Sequence, residues 1–305
     1  VGAHQSLKLG VAGEDAEGVF CAVEWLRFYN SHSKAPLGKR VAVIGGGNSA
    51  VDAARTARRL GAEKVTIFYR RMKREMPAQP EEIRAAQEEG IEIVELASPA
   101  TIVEHEGRVT AVELQRMKLS GFDRSGRKQP VPLDGELFTV EVDTVLTAIS
   151  QAADLEFLDE KANVKQGRTW IETARDMATS NPKVWAGGDA VTGPAMVIDA
   201  VRAGRDAARS IDDGLRRAAG DEPWEAPTPR SIEIPFTLDE EAADRTQASM
   251  PELDPSARAS SFAEVEIGFD QQTAVAEAGR CMRCDLNLEG MEESGEADDT
   301  ASNSA

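Results

Sequence analysis

"RVAVIGGGNSAVDAARTARRLGAEKVTIFYRR", residues 40–71, decides the fold. An apolar run, Val41–Ile44, ends in three glycines. An alanine-rich amphipathic stretch follows, and a second apolar run, Val65–Tyr69, ends in two arginines. Strand, glycine turn, helix and strand in that order begin a parallel nucleotide-binding sheet. Gly45-x-Gly47-x-x-Ala50 falls at the strand-to-helix turn. Gly45 permits the tight turn, Gly47 lets the backbone approach a pyrophosphate, and the helix start offers unsatisfied N–H groups and a partial positive charge. Ala50, Ala53, Ala54 and Ala57 keep the helix close to the sheet, and Gly61 ends it. The competing reading, a tight turn that binds nothing, is disfavoured by this strand–turn–helix–strand setting.

The second strand ends where an adenosine ribose should arrive. An acidic residue there accepts from the 2′-OH of NAD and repels a 2′-phosphate. Arg70 and Arg71 reverse that preference, because a guanidinium fork holds phosphate oxygens in pairs. The expected ligand is therefore NADP(H). The alternative is a solvated basic cluster formed by Arg70, Arg71, Lys73 and Arg74.

Around this unit the chain alternates. A helix is predicted through Cys21–Asn30, another over Pro80–Glu89 with Gly90 as its stop, and a strand over Ile91–Leu96. Thr101–Met117 reads as a hairpin turning at Glu106-Gly107, Gly121–Pro130 as a polar loop, and Val142–Ile149 as a strand buried on both faces. Alternation of this kind implies an α/β fold with a helix-covered parallel sheet. No internal repeat is present. A Pro-rich stretch follows about Ala218, and the last residues, Glu289–Ala305, hold six acidic groups and no basic one, the composition of a disordered tail.

The 305 residues are enough for two cores, and 41% hydrophobic with 29% charged residues is a globular composition. No apolar run approaches the ~20 residues of a membrane helix, and Val1–Gly10 lacks the basic-then-apolar order of a secretory leader. A net charge of −18 argues against a nucleic-acid partner. The three cysteines, Cys21, Cys281 and Cys284, make no disulfide framework, which points to a reducing cytoplasm.

A second constellation lies in "VWAGGDAVTGPAMVIDAVRAGRDAARSI", residues 184–211. A short strand is predicted to end in Gly187-Gly188-Asp189, and a Gly-Pro turn leads to a helix from about Ala195. Asp189 can accept from a ribityl hydroxyl, and the helix start can face the flavin edge that becomes negative on reduction. The other reading is an ordinary turn with an aspartate cap.

In combination, residues 2–19, 41–62, 65–78, 184–208 and 262–284 resemble the small (beta) subunit of NADPH-dependent glutamate synthase and, more broadly, the flavin oxidoreductases built on that module. The resemblance implies two Rossmann-like domains, with an NADP domain at 38–150 inserted in a partial FAD domain at 1–37 and 151–218. It further implies an extension at 219–288 and a disordered acidic tail at 289–305. It also implies that Gly45, Gly47, Asn48, Ser49, Ala50, Arg70 and Arg71 contact NADPH, and that Gly188, Asp189, Ala195 and Met196 contact FAD. Met76-Pro77-Ala78 fits the family pattern without a derivable role. Val1 corresponds to a point inside the family's FAD domain, so the rest of that domain is expected from further sequence or from another chain.

Cys281-x-x-Cys284 has spacing compatible with an iron–sulfur cluster, zinc, or a redox dithiol, or is structural. Two ligands do not close a cluster. Cys21 reads as core, His4, His32 and His105 as surface or loop residues, and Asp52 as an acid placed by the helix dipole. The resemblance implies hydride transfer between NADPH and FAD with no side-chain acid or base, then electron flow through iron–sulfur centres to an accepting subunit. That acceptor is a glutamate synthase large subunit or a ferredoxin-type carrier. The alternatives are an electron-transfer subunit with another acceptor, and a non-catalytic or truncated NADP-binding scaffold.

Overall fold

The computed structural model describes residues 2–123, 126–222, 224 and 246–279. The chain forms two units, one from Val1–Pro227 with Pro255–Phe262, the other from Thr228–Asp254 with Ala263–Ala305.

In the first unit five strands form a parallel sheet in the order β2 (Val19–Cys21), β9 (Thr144–Thr147), β3 (Arg40–Ile44), β4 (Lys64–Tyr69) and β5 (Glu92–Glu95). Side chains alternate across each strand, so a sheet buried on both faces needs apolar residues at every position. Val41, Val43, Val65, Ile67, Tyr69 and Leu146 face α1 (Ala22–His32), α2 (Asn48–Arg59) and α3 (Pro80–Glu88). Ala42, Ile44, Phe68 and Val145 face the other way, onto a three-stranded antiparallel sheet of β6 (Ala97–His105), β7 (Arg108–Phe122) and β8 (Lys128–Glu141). The result is a mixed α/β fold with a Rossmann-like parallel sheet.

β2 and α1, although they lie within residues 1–37, join this sheet through the pairing of Val19, Phe20 and Cys21 with Val145, Leu146 and Thr147. β1 (Ala3–Ser6) and β10 (Gln151–Ala153) form a separate antiparallel pair. Beyond them come α4 (Asp189–Thr192) and the 23-residue α5 (Val197–Ala219).

Three expectations need correction. The predicted polar loop at 121–130 is strand at both of its ends: β7 runs to Phe122 and β8 begins at Lys128, pairing as a second hairpin. Its Pro130 and Pro132 lie on an edge strand, where a missing N–H costs no ladder bond. No strand forms before Gly187; that stretch makes a single bridge, Ala178 to Trp185. Cys21 is not in a helix core: it ends β2, is half-buried, and hydrogen-bonds Ser6. The Glu106-Gly107 turn does form, with φ of 53° and 78°, and His4, His32 and His105 are exposed.

Two electrostatic joints hold the layers. At the sheet's entry edge the Arg40 backbone N–H and guanidinium donate to the Asp143 carboxylate (2.9 and 2.7 Å), and Asp143 N–H returns a bond to the Arg40 carbonyl (2.8 Å). A Cβ at Gly38 would stand 2.3 Å from that of Asp143, so only glycine fits beside it. On the helical face Glu89, fully enclosed, receives Arg55 at 2.6 Å, Arg59 at 3.2 Å and Arg258 at 3.6 Å. Glu82 pairs with Arg55 and Glu88 with Arg258, completing a six-membered network. Arg258 ends α6 (Pro255–Arg258), so the network clasps residues 255–262 to α2 and α3. Phe262 adds a stack on Tyr29, with ring centroids 5.1 Å apart.

The second unit is described over 246–254 and 263–279. It contains α7 (Gln271–Ala278), capped by Asp270, whose carboxylate accepts from Thr273 N–H at 2.7 Å. Acidic Glu289–Ala305 lies outside the described residues. No helix among the described residues is long and apolar enough to cross a membrane.

Removing Glu89 takes away the carboxylate that three guanidinium groups share, leaving Arg55 with Glu82 and Arg258 with Glu88. Glu89→Ala should lower unfolding free energy by about 3–5 kcal/mol in denaturant titration, and a loss below about 1 kcal/mol would show that the network contributes little. The Arg40 side chain holds the Asp143 carboxyl below its ordinary value. A carboxylate depressed in the folded state stabilises above its unfolded pKa of about 4 and loses that contribution as pH falls through the folded value. Asp143→Asn should therefore flatten the acid limb of stability against pH; an unchanged limb would remove this joint from the account.

Candidate functional site

The glycine turn forms because two of its residues have no room for a side chain. Gly45 has φ of 148°, and a Cβ there would meet the Ala148 carbonyl oxygen, at the end of β9, at 2.3 Å. At Gly46 a Cβ would strike the Tyr69 ring at 2.6 Å. Gly47 differs: its nearest neighbour would be Pro77 Cγ at 3.9 Å, so space lies open in front of it. Gly47 is the N-cap of α2, no side chain caps the helix, and no acid stands in its first turn. Unsatisfied N–H groups around an open backbone make a cradle that fits a diphosphate. Ala50, Ala53, Ala54 and Ala57 are fully buried and bring the helix start down onto β3.

Met76-Pro77-Ala78 now has a role. Ala78 N–H donates to the Gly46 carbonyl (3.1 Å), and Gln79 N–H donates to Asn48 Oδ1 (3.0 Å). Tyr69 O–H donates to the Glu75 carbonyl (2.8 Å). This strap braces the turn from outside, and Asn48 spends its side-chain oxygen on it. Gly46, Tyr69 and the strap escape a reading of GxGxxA, because the motif names the residues that meet a ligand and not those behind them. Ser49 lies half-buried in the first turn of α2. Asp52 lies past that turn, and its pKa is raised, first by desolvation and then by Glu82, which displaces the dipole explanation.

Arg70 and Arg71 leave β4 in different surroundings. Arg71 is 4% exposed; its Nε donates to the Lys128 carbonyl (2.9 Å) and its Nη2 meets Asp123 Oδ2 at 2.8 Å. Arg70 is exposed at the strand end, and its pKa is lowered, first by desolvation and then by the Arg71 cation. The open guanidinium at the expected ribose position is that of Arg70.

The second predicted site is laid out differently from the first. Gly187 and Gly188 press against α5: a Cβ on them would lie 2.9 Å from Ala203 Cβ and 3.3 Å from Ala200 Cβ, and Gly188 has φ of 63°. Asp189 opens α4 instead of ending a strand, and its Oδ1 accepts from Ala195 N–H at 3.3 Å, closing the 189–195 loop. Met196 is the N-cap of α5 and is exposed, with no side-chain cap on the helix. An uncapped helix start beside a carboxylate fits a polar ring edge. α5 carries no buried residue, and Val197, Ile198, Val201 and Leu215 are all 60% exposed or more. Cys281 and Cys284 lie outside the described residues; among the described residues no group of three or more His, Cys, Asp or Glu could hold a metal.

A parallel sheet with an open glycine turn at its strand ends is the architecture of a dinucleotide-binding domain. The pattern of the pyridine nucleotide-disulphide oxidoreductase family matches residues 1–204, and the chain belongs to that family of NAD(P)H- and FAD-dependent oxidoreductases. It is 41% identical over 291 residues to the NADP(+)-dependent formate dehydrogenase subunit beta of Moorella thermoacetica, covering 93% of this chain and 41% of that one. It is 36% identical over 233 residues to the glutamate synthase [NADPH] small chain of Escherichia coli, covering 70% of this chain and 49% of that one. The chain thus spans less than half the length of these curated relatives. Among solved structures, Mycobacterium tuberculosis FprA in complex with NADPH superposes with a TM-score of 0.59 at 21% identity, over 74% of this chain and 65% of that one, a likeness of fold.

The three glycines are not equivalent, and substitution separates them. The Cβ of Gly47→Val would meet nothing nearer than 3.9 Å, and the variant should shift Tm by no more than about 2 °C while weakening nucleotide binding more than about tenfold. Gly45→Ala should instead unfold the turn. Unaltered nucleotide affinity in Gly47→Val, read by calorimetry, would remove Gly47 from the cradle.

Proposed function

We propose that this chain is the NADPH-binding module of a flavin oxidoreductase that serves as an electron-transfer subunit. The reading is carried by the exposed Arg70 cation at the end of β4, beside an open and uncapped glycine turn. Gly45 and Gly46 shape the turn; Gly47 and Ser49 present N–H groups to the diphosphate; Ala50, whose own N–H donates to the Gly47 carbonyl (2.9 Å), lets the helix start come close; Asn48 steadies the strap; Arg70 takes the 2′-phosphate. Gly188, Asp189, Ala195 and Met196 form one edge of an FAD site. The exposed apolar side of α5 is where the remainder of an FAD domain packs, supplied by polypeptide beyond these residues. When bound together, the two cofactors supply the chemistry, a hydride passing from nicotinamide C4 to flavin N5. The protein's residues orient the rings, and no side-chain acid or base takes part.

Cys281 and Cys284 contribute two of about four thiolates to an iron–sulfur centre, the others coming from elsewhere in the assembly, and electrons leave through it singly to a partner subunit. The named relatives differ in how much of this chain they match. The formate dehydrogenase beta subunit covers 93%, the glutamate synthase small chain 70%. That difference favours an acceptor other than glutamate synthase; service to a glutamate synthase large subunit is the second reading. The domain scheme of an NADP domain at 38–150 within FAD-domain segments belongs to the same proposal, with β2 and α1 added to the NADP sheet.

Calorimetric titration with NADPH and NADH tests the reading. The chain should prefer NADPH by tenfold or more. Arg70→Ala should remove about 1.5–3 kcal/mol from NADPH binding and leave NADH within about twofold. Equal affinity for the two coenzymes would end the proposal.

A further inference from the structure

The chain leaves the parallel sheet for the antiparallel one through a single residue. β5 ends at Glu95, β6 begins at Ala97, and Leu96 between them has φ of 53°. A left-handed conformation turns this corner, but it suits glycine or asparagine and strains a leucine. The corner is held from both sides. Leu96 N–H donates to the Arg71 carbonyl (3.1 Å), and the Leu96 carbonyl accepts from Met117 N–H (2.8 Å) on the β7–β8 ribbon. The tip of that ribbon in turn occupies the Arg71 side chain, through the Lys128 carbonyl and Asp123. The backbone of Leu96 is thus explained by the fold. Its side chain is not.

Among the described residues Leu96, although half-buried, belongs to neither of the two apolar clusters that cover the sheet. Strained residues that the surrounding structure holds in place gather at ligand clamps and active sites. The position of Leu96 fits that pattern. β4 and β5 run in register with Tyr69 opposite Glu95, so the next residues outward, Arg70 and Leu96, flank each other at the C-terminal ends of neighbouring strands. Adjacent strands lie ~4.8 Å apart, and these ends are where such a sheet receives its nucleotide. In a coenzyme with a 2′-phosphate the base hangs from the adjoining ribose carbon. A group beside the phosphate's cation is therefore within reach of the base, whose flat faces are apolar.

We infer that Leu96 is an apolar contact for the adenine of the coenzyme, held at the exit of β5 beside the residue that takes the 2′-phosphate. The inference rests on the reading above for its placement of the adenosine end at the end of β4, and it adds a contact that both coenzymes share. The two residues divide the work chemically. The Arg70 guanidinium meets a charge that only NADP carries, whereas Leu96 meets a ring that NADP and NAD carry alike. Arg70 therefore discriminates, and Leu96 contributes equally to both.

The experiment is calorimetric titration of the full chain and its variants with NADP+, NAD+, 2′,5′-ADP and nicotinamide mononucleotide. Leu96→Gly should weaken NADP+, NAD+ and 2′,5′-ADP by one common factor, about three- to tenfold, and leave the mononucleotide within about twofold. Leu96→Asn also accepts the left-handed conformation and should lose the same factor, while Leu96→Met keeps an apolar side chain and should recover most of the affinity. Melting curves of the glycine and asparagine variants should move little, since strain is relieved and neither core loses a member. Unchanged affinity for every probe, with or without a lower Tm, would make Leu96 a corner residue only and overturn the inference. So would a loss confined to NADP+, or an equal loss for the mononucleotide. Should the parent chain prefer NADP+ while Leu96→Gly changes nothing, the NADP reading stands without the adenine contact. Should the parent bind both coenzymes equally and Leu96→Gly weaken both alike, the adenine contact stands and the NADP preference falls.

Discussion

Burial of a parallel sheet on both faces is the constraint from which the rest follows. Parallel strands covered on both sides leave little polar face for water, so the interiors of β3, β4 and β9 are largely apolar, and each face must find its own cover. One face takes three helices, drawn close by an alanine-lined α2; the other takes β6 and β7. Both covers run from the same sheet, and both therefore deliver something to the strands' C-terminal ends. The helical cover brings an uncapped N-terminus. The antiparallel cover brings the ribbon tip.

The electrostatics are arranged against the overall charge. Most arginines near the sheet are consumed internally: Arg40 by Asp143 and Glu141, Arg55 and Arg59 by Glu89, Arg258 by Glu88, Arg71 by Asp123. These pairs join elements remote in sequence, and their value is placement more than net stability, since desolvation offsets much of a buried pair's attraction. Arg70 is treated differently. Burial and the neighbouring Arg71 cation lower its pKa, with Tyr69 and the Asp123 carboxylate acting the other way.

Much of this was legible in the sequence. The strand, glycine turn and helix of residues 40–59, the alanine face of α2, the stop at Gly61 and the hairpin at Glu106-Gly107 follow from periodicity and turn chemistry, which act over a few residues. The ribbon was not legible. Its strands alternate weakly, are polar on both sides and contain Pro130 and Pro132, so local rules read a loop where tertiary pairing makes strand. Arg70 and Arg71 are adjacent and chemically identical, and only the position of Asp123, 52 residues from Arg71, separates their roles. The same holds for Glu89, whose three cationic neighbours come from helices whose order no spacing reveals. The function of Met76–Ala78 is likewise a matter of what lies behind the glycines.

The two halves of the chemistry are built to different degrees of completion within this chain. Around the glycine turn, Ala148 stands behind Gly45, Tyr69 behind Gly46, and the strap braces it from outside. Around Gly188 the walls are one-sided. The glycines and α5 pack on each other, yet α5 leaves Val197, Ile198 and Val201 open to solvent. A run of large aliphatic residues on one stripe of a 23-residue helix is the pattern of a core-facing surface, and its exposure costs free energy that only a covering layer recovers. Hydride transfer demands that both rings be held within van der Waals contact and shielded from water. On the reading proposed above, a layer that buried the apolar stripe of α5 would also shield the flavin edge from water.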